Sequence, residues 1–160
     1  MRMFLYDVFP PELVKVGLEA ENKDEVFEEM VDQFCQAEKK SDLREEILAA
    51  LRAREMKMST GIQKGIAIPH GRTNAVDRVY GALGISRRGI DYDALDRNPV
   101  HLLFMILAPE KDAEKYLRIL KRLAQLMDNP QFYTDLMAQK DAPGACGVIK
   151  KYENIIIAAD

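Results

Sequence analysis

Ser59-Thr60-Gly61-Ile62-Gln63-Lys64-Gly65-Ile66-Ala67-Ile68-Pro69-His70-Gly71-Arg72 is the stretch on which this chain turns. A short apolar run, Ile66-Ala67-Ile68, follows two glycines and ends at a proline, a histidine and a third glycine. It carries one of only two histidines in 160 residues. The run reads as a strand whose end presents an imidazole. Gly61 and Gly65 bracket a tight turn that feeds it. The pattern is neither GxGxxG nor a Gly-Lys-Ser/Thr opening a helix, so it is no phosphate-cradling loop of those kinds.

Upstream, Leu13 to Leu18 predicts a strand or extended segment. Asn22, with Glu25 three residues on and apolar Val26, Phe27, Met30, Val31 and Phe34, predicts a capped amphipathic helix. Ser41 is placed to cap a second helix with Leu43, Ile47, Leu48 and Leu51 inward, fading over Arg54 to Lys57. Downstream, Val79 to Ser86 reads as a strand. Val100 to Leu107, between Pro99 and Pro109, reads as a central strand covered on both faces.

Glu110 to Met127 predicts the best helix, with Ala113, Leu117, Leu120, Ala124 and Met127 on its inner face. Another helix is expected over Pro130 to Gln139. Asp141 to Gly144 reads as a loop, Cys146 to Tyr152 as helical, and Ile155-Ile156-Ile157 as a strand or docked end. Strands with helices on both sides predict a three-layer α/β sandwich. No repeat, linker or low-complexity run appears, so a single domain over 1–160 is expected.

Composition narrows the function classes. The chain is 48% apolar and 31% charged, as globular domains are. Its 23 Lys and Arg against 26 Asp and Glu give a net charge of −3, which argues against bulk nucleic-acid or anionic-membrane binding. No apolar stretch reaches the ~20 residues of a membrane span. Met1 to Asp7 lacks a secretory leader pattern. Cys35 and Cys146 are far apart and form no CxxC pair, which favours free thiols and a cytoplasmic setting.

His70 has two readings: a nucleophile or phosphoryl acceptor, or a satisfied histidine in a turn. The flanking glycines, Pro69 and the nearby cations favour the first. Arg54, near a helix end, is the best anion partner because its planar fork suits a phosphoryl group. Arg72 is a second cation. Gly71 allows another backbone to approach. Ser59 and Thr60 offer hydroxyls for phosphoryl oxygens, or turn and capping groups. His101 stands either satisfied in its strand or beside His70. Two histidines without a cluster of acids or thiols are too few for a metal site.

Thr60 to Gly71 resembles the signature of the type-2 (fructose/mannitol) IIA domains of the bacterial phosphotransferase system. The likeness spans about residues 5 to 140, including Arg54-Glu55, Ile90 to Val100, and Ile106-Leu107-Ala108-Pro109. It implies a mixed sheet between helices and no cofactor in the domain. It further implies that His70 takes a phosphoryl group from the carrier HPr, on Nε2, with Arg54 steadying it. The recipient would be a IIB domain or, in the nitrogen-type branch, regulation of a target protein. The turn Ile90 to Pro99 looks more like that branch. Where sugar-transporting members have a second histidine, this chain has Tyr116, which would hydrogen-bond His70 or pack.

Overall fold

Nine residues, Val100–Ala108, form the strand around which the rest is laid. The structure, a computed structural model, describes residues 3–159. In chain order its elements are α1 (Leu5–Val8), β1 (Val14–Val16), α2 (Lys23–Glu38), α3 (Arg44–Lys57), β2 (Gly61–Gln63), β3 (Ile66–Ala67), β4 (His70–Arg72), β5 (Tyr80–Ile90), β6 (Val100–Ala108), α4 (Ala113–Met127), α5 (Pro130–Met137) and α6 (Ala142–Ala159). The mixed sheet runs β1-β5-β6-β3-β2, with β4 also on β6. β5 is antiparallel to β6, β2 is antiparallel to β3, and the other pairs are parallel.

Alternation along β6 builds both cores. Leu102, Phe104, Ile106 and Ala108 pack toward α1, α4, α5 and α6, while Leu103, Met105 and Leu107 pack toward α2 and α3. Leu102, Phe104 and Ile106 are fully buried, each worth ~1.5–3 kcal/mol relative to exposure. The three layers expected from the sequence are therefore present.

β3 and β4 are one line of chain with a gap. Ile66 pairs with Leu102 and Ala67 with Leu103, then His70 with Ile106 and Arg72 with Ala108, all at one offset. Pro69 lies in the gap. It has no N–H to donate, although its carbonyl accepts from Ile106 N–H (3.0 Å). Ile68 N–H turns the other way, to the Thr60 carbonyl (3.0 Å). Lys64 and Gly65, both left-handed (φ 56° and 77°), close the hairpin before β3.

Asn22 caps α2 as its sequence implies. Its Oδ1 accepts from Glu25 N–H (3.0 Å), and Glu25 in return accepts from Glu21 N–H (2.8 Å). Four expectations need correction. Ser41 does not cap α3: Ser41–Leu43 form a 3₁₀ turn tied by Leu43 N–H to the Lys40 carbonyl (2.9 Å), and the helix starts at Arg44. The strand after Val79 continues to Ile90, well past Ser86.

On α4 the buried row is Tyr116, Ile119, Leu123 and Leu126, and Leu117 is 63% exposed. The helix has two apolar rows about 100° apart, and the sheet beneath selects the second. Finally, Asp141 to Gly144 is no loop; of the two readings of Ile155 to Ile157, the docked end holds. Asp141 Oδ1 accepts from Gly144 N–H (2.8 Å), Pro143 falls in the first turn, and one helix runs on to Ala159. Glu153, fully buried, docks that helix: it accepts from Leu5 N–H (2.7 Å) and from Arg122 (3.2 Å).

Candidate functional site

The site lies where the outer edge of β4 meets helices from both layers. Along β4, His70 and Gly71 point to opposite faces. Gly71 faces α3: a Cβ there would stand 3.2 Å from the Ala50 carbonyl carbon and oxygen, so the helix backbone rests on the glycine itself. His70 faces α4, where its ring lies 5.8 Å from that of Tyr116. α3 passes close enough that Arg54, in its last turn, reaches around the edge to the imidazole.

The hydrogen bonds of His70 define its tautomer. Nδ1 is 2.6 Å from the Ile68 carbonyl oxygen, which can only accept, so Nδ1 carries the proton. Arg54 Nε, which can only donate, lies 3.2 Å from Nε2. Nε2 is therefore the unprotonated nitrogen, with its lone pair toward the guanidinium. Burial pushes the His70 imidazole below its ordinary value. The Arg54 charge acts in the same direction, while the Ile68 bond and Glu55 oppose it. The ring is neutral at neutral pH and nucleophilic at Nε2.

Arg54 is itself anchored. Its Nη1 donates to the Met58 carbonyl (2.8 Å) at the end of α3, where helix carbonyls lack partners and cations are favoured. Around it opens a cleft of about 500 Å³, whose wall includes Ala50, Lys57, His70, Arg72, Tyr116 and Leu117. Arg72, half exposed, pairs loosely with Glu110 (3.6 Å) across the mouth. The Tyr116 hydroxyl is pushed up to about 12, chiefly by burial, and stays protonated.

The structure thus brings together Arg54, His70, Gly71, Arg72 and Tyr116. It places Ser59 and Thr60 otherwise. The Ser59 hydroxyl accepts from Gly61 N–H (3.2 Å) within the turn. Thr60 is 2% exposed and its hydroxyl is shared between Glu55 (2.6 Å) and Tyr92 (2.7 Å), away from the cleft. His101 is not beside His70. Its Nδ1 bonds the Ser86 carbonyl (2.8 Å), five residues along β6 from the partner of His70. Among the described residues, no three His, Cys, Asp or Glu side chains gather as a metal site requires.

Sequence reasoning used Glu55 only as a companion of Arg54. The structure shows it 9% exposed, bonded to Thr60 and paired with Lys23 (3.0 Å). A usable signal was present: an acid in the last turn of a helix sits at the wrong end of the dipole and requires partners.

Comparisons with known proteins bear on the family and the fold. A family model described as "Phosphoenolpyruvate-dependent sugar phosphotransferase system, EIIA 2" matches residues 7–152. The PTS system fructose-specific EIIABC component of Bacillus subtilis is 33% identical over 151 residues, covering 94% of this chain and 24% of its own. This chain therefore spans about a quarter of that relative. The crystal structure of the nitrogen regulatory protein IIA-Ntr from Neisseria meningitidis superposes with a TM-score of 0.83 at 29% identity, over 91% of this chain and 98% of that one. An Escherichia coli complex of enzyme IIA-mannitol with phosphorylated IIB-mannitol shares the fold, with a TM-score of 0.74 at 16% identity over 89% and 99% of the two chains. No described helix is long and apolar enough to cross a membrane. The chain belongs to the EIIA type 2 family of the phosphoenolpyruvate-dependent sugar phosphotransferase system.

Proposed function

We propose that this protein is a phosphohistidine carrier, in which His70 Nε2 takes a phosphoryl group from an HPr-type protein and later gives it up. One observation carries the reading: Nε2 is held unprotonated in an open cleft with a guanidinium against it. In the forward step the Nε2 lone pair forms a bond to phosphorus as the donor's own bond to phosphorus breaks. The proton on Nδ1 stays where it is. The ring acquires positive charge, which the Ile68 carbonyl stabilises through that proton, and the group remains a good one to leave again.

Arg54 has two tasks. At rest its Nε–H occupies the Nε2 lone pair. Once phosphorus arrives, the same N–H turns to the phosphoryl oxygens while Nη1 stays on Met58. Arg72, on the same face of β4 and only loosely paired, supplies a second cation at the mouth. Tyr116 supplies a neutral donor or a packing wall. No cofactor enters this scheme.

The cleft mouth favours a protein over a small molecule as donor and recipient. Leu117 on its wall is 63% exposed, and Met58, whose carbonyl holds Arg54, is 59% exposed. For the recipient we propose the nitrogen-type role, in which phosphorylation at His70 selects among regulated proteins. The likeness to the Neisseria protein along almost its whole length supports it. The likeness to the Bacillus fructose component supports the other reading, transfer to the cysteine of a IIB domain.

The test is labelling with phosphoenolpyruvate, enzyme I and HPr. One acid-labile, alkali-stable phosphoryl group per chain is expected, and none on His70→Ala. Equal labelling of that variant would defeat the assignment. Loss of label to an added fructose IIB domain would favour the sugar relay; retention would favour regulation.

A further inference from the structure

We infer that Glu55 is a positioning residue for phosphoryl transfer, acting through Arg54; the inference rests on His70 being the acceptor. Glu55 touches nothing in the cleft. Its carboxylate is 6% exposed and accepts from Thr60 N–H (2.9 Å), the Thr60 hydroxyl (2.6 Å) and the Lys23 ammonium (3.0 Å). The Tyr92 hydroxyl, on a fully buried ring, holds the Thr60 oxygen from the other side (2.7 Å), and Lys23 lies 4.9 Å from the centre of that ring.

This arrangement is costly for the fold alone. A carboxylate in the last turn of α3 faces the negative end of the helix dipole. Burying it requires a cation and several donors, and an apolar residue in its place would commonly serve stability as well. What the network secures is a short segment of chain. Arg54 and Glu55 are neighbours, and each fastens the backbone just beyond the helix: Arg54 holds the Met58 carbonyl, and Glu55 holds Thr60 N–H. The carbonyl that anchors the guanidinium is thus suspended between two clasps, one of them Glu55. With that clasp released, Met58 is free to shift and Arg54 loses the support that aims it at Nε2.

The experiment is a cycle of four proteins: wild type, Glu55→Gln, Arg54→Ala and the double variant. The rate of phosphoryl transfer from phosphorylated HPr is measured at saturating donor. Glu55→Gln is expected to slow transfer about 10-fold, the scale of a sub-ångström loss of alignment. In the Arg54→Ala background the same change is expected to have no further effect, because nothing remains to be positioned. A purely structural role would slow both backgrounds equally, and that outcome overturns the inference.

Thr60→Val, which keeps the N–H but not the hydroxyl, is expected to behave like Glu55→Gln, and Thr60→Ser to transfer at the wild-type rate; full activity of Thr60→Val would also overturn it. A readout independent of transfer is solvent exchange of the Arg54 Nε–H by NMR, expected to quicken in Glu55→Gln and contradicting the inference if unchanged. Absence of label on the wild type would instead defeat the acceptor reading itself, and this inference with it.

Discussion

The two histidines of this chain are alike in one respect and different in every other. Each has Nδ1 on a main-chain carbonyl: Ile68 for His70 at 2.6 Å, Ser86 for His101 at 2.8 Å. They stand at different ends of the sheet, His70 on β4 opposite Ile106 and His101 five residues earlier on β6. His70 opens on a cleft with Arg54 against its free nitrogen, while His101 lies against the stretch of β5 between Ile85 and Ile90 where the register shifts. A Cβ on Gly89 would stand 3.2 Å from His101 Nε2. Fixing a tautomer is therefore common and insufficient. On the proposed reading, what separates an acceptor from a structural imidazole is a cation at the other nitrogen and room for a tetrahedral group.

The comparison can be broken most directly by exchanging the roles. His70→Ala is expected to abolish phosphoryl incorporation and His101→Ala to leave its stoichiometry intact, as read by mass spectrometry under alkaline conditions. Label on His101 in the first variant would show that the cation and cleft are not what matters. Next, Arg54→Ala is expected to slow transfer about 100-fold, the scale of removing one electrostatic donor at developing charge. Rapid-quench rates check this, and a rate near wild type would remove the guanidinium from the account. Lysine at that position is expected to restore little, because it lacks the fork that holds Met58 and reaches Nε2 together.

A third test concerns the contact that lets α3 bring Arg54 near. Gly71→Ala is expected to cost ~1–3 kcal/mol in denaturant unfolding, since its methyl must displace the Ala50 main chain. Full stability would mean that α3 is free to move. A fourth sharpens the electrostatics. His70 titrates below the ordinary value near 6.5, mainly because it is buried. Between that value and its lower folded one the unfolded chain binds more protons. The stability contribution is therefore complete above about pH 6.5 and is lost as pH falls through the folded value. The transfer rate is expected to fall with a midpoint below pH 6.5. A midpoint at or above 6.5, by rate or by ¹⁵N shifts of the ring, contradicts this. The smallest effect is expected for Tyr116→Phe, within about twofold in rate, because the ring contact survives and only the hydroxyl goes. A larger loss would make the hydroxyl a phosphoryl ligand.

Much of this was legible before any coordinates. Asn22 followed by Glu25 announces a capped helix because the signal is local: donors within one turn find acceptors within the same turn. Val100 to Ala108 announces a twice-covered strand because unbroken apolarity leaves no solvent face. The errors share one cause. On α4 two rows of apolar side chains lie side by side, and nothing within the helix says that Tyr116 and Ile119 turn inward while Leu117 faces the cleft mouth. For Ile155 to Ile157 the composition left a strand or a docked end open, and only packing decided that they continue α6. Thr60 was a candidate phosphoryl ligand by its nearness to His70 along the chain, yet its hydroxyl is consumed by Glu55 and Tyr92.

Sequence alone determined most of the elements and the layering, and singled out His70, because capping, periodicity and turn chemistry act over a few residues. Only the tertiary structure decided what that histidine can do. Its free nitrogen, its cation and the clasp behind that cation come from β4, α3, α2 and the segments just before β2 and just after β5. Those segments are distant along the chain, and Gly71 lets α3 lie directly on β4 where they meet.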